Sequence, residues 1–141
     1  MVKKKQTRIR NKAKKELARI ESIMSDKNIV NDIENYKIKF SICEIVYKTL
    51  YKGKNHGSNK FIKLSMVSIP PVLKYAGYSF ENDFLISLFG TNEKHGSMSV
   101  KSVRDALTHS LSKKVICELK TRKKELNNIM DIFIKTIKEH N

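Results

Sequence analysis

The sequence predicts an all-α fold, a helical bundle of five to six helices that forms a single domain over residues 1–141. Apolar residues recur at spacings of three and four along most of the chain, which is the period of amphipathic helices. Two of the predicted helices are long and carry heptad-like apolar seams, as the helices of bundles do. No segment alternates convincingly with the period of two that marks a half-buried strand, and no repeat has a solenoid period.

The N-terminal part is predicted to form a basic helix or arm over residues 1–24. Its helical pattern is clearest from residue 6 onward, where apolar side chains share one face and Lys and Arg fill the others. A polar break at 25–28 supplies the cap of a second helix at 28–51, whose apolar seam has to pack against a long partner. That seam consists of Ile29, Ile33, Tyr36, Phe40, Cys43, Tyr47 and Leu50.

The predicted bundle covers residues 28–141. After residue 51 its elements are a loop at 52–60, two short helices within 69–90, a loop at 91–98, a motif helix at 99–111 and a long final helix at 113–138. Gly53 and Gly57 are expected to end the second helix, and Pro70 to open the first short helix. Gly77 is expected to end that short helix, and Ser79 to cap the next one. The second short helix carries an aromatic cluster that we interpret as core, with base stacking as the alternative: Phe80, Phe84 and Phe89.

The formal net charge is +15, and the excess is uneven along the chain. Residues 1–24 hold nine basic and two acidic side chains, a net charge of +7, and the remaining residues hold +8. A basic surface attracts nucleic acid through the release of counterions. The candidate RNA-binding residues of this arm are Lys3, Lys4, Lys5, Arg8 and Arg10. A solvated arm is the alternative; a membrane surface is not expected, because the apolar stripe lacks Trp and Phe.

Composition excludes several classes of protein. Five Gly, two Pro and two Cys rule out collagen-like, mucin-like and disulfide-rich chains. No apolar run approaches the roughly 18 residues of a membrane span, and the basic start is not followed by the apolar core of a signal peptide, so a cytoplasmic location is expected. Cys43 and Cys117 are expected to be two buried, reduced thiols. No metal and no cofactor are expected, because zinc-ligand, phosphate-loop and dinucleotide motifs are absent.

The most informative stretch lies at 102–110. At 100° per residue, four polar side chains of this helix fall within an arc of about 140°, opposite its apolar stripe. They are, in angular order, Arg104, Thr108, Asp105 and His109. Asp105 and His109 are spaced i, i+4, so the carboxylate would orient the imidazole, and Arg104 offers a planar cation suited to phosphate. A base, a group that orients it and a phosphate clamp are what metal-free RNA cleavage requires.

This stretch resembles the HEPN superfamily, whose hallmark is an Arg followed a few residues later by a His, usually with Asn, Asp or His directly after the Arg. The run Arg104-Asp105-Ala106-Leu107-Thr108-His109 fits that pattern. In the family the motif lies at the end of one helix, just before the last long helix of a small all-α bundle, and the predicted elements place it there. The resemblance covers roughly residues 99–137.

The resemblance implies a metal-independent endoribonuclease of the toxin or phage-defence kind, acting as a homodimer. Arg104 and His109 of both chains would line one cleft. His109 would serve as general base or acid when a ribose 2′-hydroxyl attacks phosphate, while Arg104 would stabilise the developing charge. Asp105 would set the imidazole tautomer, and Thr108 is a further candidate for a phosphate hydrogen bond. An antitoxin or regulatory protein is a further partner that the resemblance allows.

Two other interpretations stay open at this point. The chain could be a non-catalytic RNA- or DNA-binding module that uses its basic N-terminal arm. Alternatively, it could be a dimerising scaffold in which the 28–51 seam forms an interface. In that case Arg104, Asp105 and His109 would form an ion-paired surface without chemistry.

Overall fold

A computed structural model describes residues 2–55, 62–91 and 97–140 of the chain. The helices confirm the all-α prediction; they are α1 (Val2–Met24), α2 (Lys27–Lys54), α3 (Ile69–Tyr75), α4 (Asn82–Phe89), α5 (Val100–His109) and α6 (Lys113–Glu139). Spatial contacts divide the chain into two units, Met1–Glu34 and Asn35–Asn141, and the boundary falls inside α2. That the chain forms a single domain therefore stays a prediction.

The first unit consists of α1 and the beginning of α2. The apolar stripe of α1 is largely exposed, with 59% of Ile9 and 57% of Leu17 accessible to solvent. The predicted cap of α2 is present, because the Asp26 carboxylate accepts hydrogen bonds from the backbone N–H groups of Asn28 (3.0 Å) and Ile29 (3.3 Å). Helix α1 is therefore a long basic helix whose apolar side chains are not covered within the first unit.

The core of the second unit is built around aromatic rings. Phe89 contacts Phe40, Tyr47 and Phe133, with ring centroids 6.0, 6.1 and 5.6 Å away. The part of the predicted α2 seam that lies here is buried from Tyr36 to Tyr47, whereas Leu50 is half-buried. The prediction of an aromatic core is confirmed for Phe89. The other two members of the predicted cluster, Phe80 and Phe84, are half-buried and stack on each other.

Several local predictions need correction. Helix α2 runs through Gly53 to Lys54, since one glycine lowers helix stability by only about 1 kcal/mol and does not force an end. Helix α4 begins at Asn82, so Glu81 and not Ser79 occupies the capping position. Cys43 is buried as expected, but Cys117 is exposed because it lies outside the apolar stripe of α6. Residues 56–60 and 92–96 of the two predicted loops lie outside the described residues.

The end of α3 follows the prediction closely. Gly77 has a φ of +93°, a conformation that glycine adopts without steric cost. Its N–H donates to the carbonyl of Lys74, and the N–H of Tyr78 donates to the carbonyl of Leu73. This is the Schellman arrangement, which satisfies the last carbonyl groups of a helix and turns the chain away from its axis.

Candidate functional site

Helix α5, which carries the Arg–His motif, is held firmly at its first turn. Ser99 caps the helix by accepting a hydrogen bond from the N–H of Ser102, and its hydroxyl donates to the carbonyl of Gly90 at 2.5 Å. The buried hydroxyl of Tyr36 on α2 donates to the carbonyl of Val100 at 2.7 Å. Burial raises the pKa of the Tyr36 phenol, so the group stays protonated and remains a donor. These bonds fix where the motif begins relative to α2 and α4.

Arg104 is the centre of an ion-pair network between α2 and α5. Its Nη1 lies 3.2 Å from Oε1 of Glu44, and its Nε lies 2.8 Å from Oδ1 of Asp105. The remaining oxygens of these carboxylates pair with lysines: Lys48 lies 3.1 Å from Glu44, and Lys101 lies 3.0 Å from Asp105. Charges thus alternate from Lys48 through Glu44, Arg104 and Asp105 to Lys101. Three cations face two carboxylates, which leaves this network with a net charge of +1.

The guanidinium of Arg104 also packs on an aromatic ring of α2. Its Cζ lies 4.5 Å from the centroid of the buried Phe40 ring, a cation–π contact. The Arg104 side chain is only 23% exposed. A guanidinium has five N–H donors, and the two hydrogen bonds to Glu44 and Asp105 use two of them. Arg104 is therefore held in one orientation, and three of its five N–H donors lie outside these two hydrogen bonds.

Asp105 is placed differently from the sequence-based expectation. Its two oxygens bind Arg104 and Lys101, and no hydrogen bond among the described residues joins it to His109. The reason is competition on the same helix, since two permanent cations flank the carboxylate at i−1 and i−4. In this structure Asp105 positions Arg104 rather than the imidazole.

His109 is the last residue of α5, and its side chain is exposed. The chain reverses just after it: Leu111 has a φ of +46°, unusual for a residue other than glycine, and α6 starts at Lys113. Thr108 is exposed as well, but its hydroxyl donates to the carbonyl of Arg104 at 3.0 Å. A phosphate contact from Thr108 would need that hydroxyl to rotate. Arg104 and His109 thus lie on the same helix. The Arg104 side chain is fixed by its partners and partly buried, whereas the His109 side chain is exposed.

The basic candidates of the N-terminal arm lie on α1, in the first unit. The side chains of Lys3, Lys4, Lys5, Arg8 and Arg10 are all exposed. Arg10 makes one local contact, a hydrogen bond from Nη2 to the hydroxyl of Thr7 at 3.3 Å. The structure therefore presents these charges to solvent, as an electrostatic contact with a polyanion requires.

Sequence reasoning missed the α2 side of the site. Glu44 and Phe40 hold Arg104 in place, yet both precede it by about sixty residues. The one available signal was the i, i+4 pair of Glu44 and Lys48, a half-buried charged pair beside the buried seam. Nothing in that pattern identifies Arg104 as the third member of the ion-pair network.

A second arginine, Arg122 on α6, joins two carboxylates of its own helix to a residue just before α5. It binds both oxygens of Glu125, at 2.9 and 3.1 Å, and one oxygen of Glu118 at 2.7 Å. The hydrogen bonds to Glu125 and Glu118 raise the pKa of Arg122, and the same contact lowers the pKa of Glu125. Arg122 also donates to the carbonyl of Met98 at 2.8 Å, and its own backbone departs from helical geometry (φ −114°).

Across 2–55, 62–91 and 97–140, no three His, Cys, Asp or Glu side chains are grouped so that they could hold a metal ion. No helix in the described part of the chain is long and apolar enough to cross a membrane. Comparisons with models of known protein families, with curated proteins and with solved structures found no match.

Proposed function

We propose that the chain is a metal-independent endoribonuclease whose reacting groups are Arg104 and His109. The observation that carries the proposal is the preorganised Arg104: Glu44, Asp105 and Phe40 fix its orientation, and three of its N–H donors are not used by the two carboxylates. A cation held in place before substrate arrives costs little reorganisation when charge develops on phosphate. His109 lies five positions later on the same helix, and its side chain is exposed.

In the proposed reaction the ribose 2′-oxygen attacks the adjacent phosphorus. His109 accepts the proton of the 2′-hydroxyl, the bond from phosphorus to the 5′-oxygen breaks, and an imidazolium returns a proton to the leaving oxygen. The products are a 2′,3′-cyclic phosphate and a 5′-hydroxyl. Arg104 donates to the equatorial oxygens, where negative charge accumulates. Asp105 acts as a positioning residue for Arg104.

The resemblance to the HEPN superfamily supports the same proposal and extends it. The motif ends α5 and α6 follows after a short turn, the arrangement that is typical of that family. On this basis we propose a cytoplasmic homodimer in which Arg104 and His109 of both chains face one cleft, so that one His109 acts as base and the other as acid. A toxin or phage-defence role, with or without an antitoxin protein, belongs to the same proposal.

The test uses purified protein and labelled RNA in the presence of EDTA. Wild-type protein is expected to cut the RNA and to leave cyclic phosphate ends. His109→Ala should slow cleavage by about 10²–10⁴-fold, the usual contribution of a general acid or base. Since His109 is exposed, its loss should leave the thermal midpoint unchanged. RNA that stays intact with wild-type protein, or cleavage by His109→Ala at the wild-type rate, would refute the assignment.

A second candidate function is non-catalytic binding of RNA or DNA through α1. The exposed basic side chains of that helix favour it, and so does the engagement of Arg104 by two carboxylates, which is what an ion-paired surface without chemistry requires. This candidate predicts salt-sensitive RNA binding by the wild-type protein with no cleavage under any condition. The EDTA assay above, run beside a binding titration, separates the two functions.

A further inference from the structure

The first half of α6 carries a row of exposed lysines that the proposed reaction does not use. Lys113 and Lys120 lie two helical turns apart on the same side of α6, and Lys124 follows one turn later, across the kink at Arg122. At a rise of 1.5 Å per residue, the three side chains extend over about 16 Å. We call Lys113, Lys120 and Lys124 the lysine face of α6.

The charges of the lysine face are not neutralised. The acidic side chains nearest in sequence, Glu118 and Glu125, both bind Arg122 on the flank of the helix. The next carboxylate along α6, Asp131, pairs with Lys39 at 2.9 Å. Within the described part of the chain, none of the three lysines forms an ion pair. Because Arg122 binds the nearby carboxylates, the positive charges of the lysine face are left uncompensated.

The lysine face begins beside the motif. His109 ends α5, Lys113 starts α6, and only the turn at 110–112 separates them. Between the lysines the surface offers Cys117 and Thr121, both exposed and small. Interfaces with proteins are centred on aromatic and other large apolar anchors, which this strip lacks, whereas a row of cations matches a chain of phosphates.

We infer that the lysine face binds the phosphate backbone of single-stranded RNA and leads the strand to His109. The inference rests on the proposed function for its substrate, because it identifies where the RNA lies before cleavage. Its physical basis is electrostatic, so it concerns the backbone and carries no sequence preference. Each lysine would neutralise one phosphate and release its counterion.

The test compares two triple variants, both made in the His109→Ala background so that the RNA stays intact. One is K113Q/K120Q/K124Q; the matched control is K52Q/K63Q/K74Q, three exposed lysines that lie outside α6. Each set removes three charges, so the net charge falls equally in both. Fluorescence anisotropy with a labelled single-stranded RNA gives Kd at several salt concentrations, and circular dichroism checks the helical content.

For the lysine-face variant, the slope of log K against log salt should become shallower by about 2, since each single-strand phosphate contributes about 0.7. Binding at 0.1 M salt should weaken by about 100-fold, while the control variant stays close to its parent. Equal losses in both variants, or no loss in either, would overturn the inference. If the triple variant loses helical content, the single variants decide, each with an expected slope change of about 0.7.

The binding titration, run beside the cleavage assay with EDTA on wild-type protein, keeps the inference apart from the proposed function. If wild-type protein does not cut RNA but the lysine-face variant alone loses binding, the ribonuclease assignment is wrong and the binding surface stands. If wild-type protein cuts RNA and the two triple variants bind alike, the ribonuclease assignment stands and the binding surface on α6 is wrong.

Discussion

The Cζ atom of Arg104 lies 4.5 Å from the centroid of the Phe40 ring, so an aromatic core residue of α2 supports the cation of the motif. Phe40 is fully buried and contacts Phe89 on its edge. One side chain therefore belongs to the core and to the candidate site at once. Because the ring is held rigidly by its neighbours, the guanidinium above it has little freedom. If the proposed function is right, core packing and RNA cleavage are therefore linked.

The first prediction concerns this link. Phe40→Ala should lower the free energy of unfolding by about 3–5 kcal/mol, the usual cost of removing a buried phenyl ring, as measured by chemical denaturation. Phe40→Leu keeps most of the apolar volume but removes the ring face, so it should cost less stability and still slow RNA cleavage. An unfolding midpoint for Phe40→Ala equal to that of wild type would show that this position is not in the core.

The second prediction concerns the two thiols. Burial raises the pKa of Cys43 to about 12, whereas Cys117 is exposed. The thiolate is the reacting species, so at pH 8 a thiol reagent such as Ellman's reagent should modify one cysteine in the native protein and both after denaturation. Cys117→Ser should abolish the fast reaction, and Cys43→Ser should leave it unchanged. Two fast-reacting thiols in the native wild-type protein would contradict the burial of Cys43.

The third prediction concerns acid stability. The hydrogen bond from Arg122 lowers the pKa of Glu125 in the folded protein, so this contact stabilises the fold above the unfolded pKa of about 4.3 and is lost as the pH falls through the lower folded value. Glu125→Gln should therefore reduce the thermal midpoint at pH 7, and the difference from wild type should shrink below about pH 4. Glu139→Gln, an exposed position on the same helix, is the control. A difference that is constant from pH 7 to pH 3 would argue against the contact.

Local patterns predicted most of the fold but only part of the site. The seam from Tyr36 to Tyr47 and the turn at Gly77 were predictable because helical periodicity and glycine geometry depend on neighbouring residues. The partner of Asp105 was not, because three groups compete for one carboxylate and the distances decide among them. The contact of Glu44 could not be predicted for another reason. Its pairing with Arg104 depends on how α2 and α5 pack, which no local pattern encodes.

The fourth prediction concerns the basic arm. Removing residues 1–8 takes away four exposed cations of α1: Lys3, Lys4, Lys5 and Arg8. If they contact RNA, the slope of log K against log salt should become shallower by about 3, as counterion release requires for single strands. Cleavage at saturating RNA should be unchanged, because the arm holds no reacting group. Identical salt slopes before and after the deletion would remove α1 from the binding surface.

The last prediction separates the two roles of Arg104, which holds α2 to α5 and is proposed to bind phosphate. Arg104→Ala should lower both stability, by about 1.5–3 kcal/mol for the lost charged hydrogen bonds, and cleavage. Arg104→Lys keeps a cation near Glu44 but cannot reproduce the planar fork, so cleavage should still fail while most stability is retained. Asp105→Asn removes the negative partner of Nε and should slow cleavage less than Arg104→Lys does. Denaturation curves and initial rates measured on the same preparations provide the comparison. Arg104→Lys protein that cuts RNA at the wild-type rate would show that the planar guanidinium is not needed for cleavage.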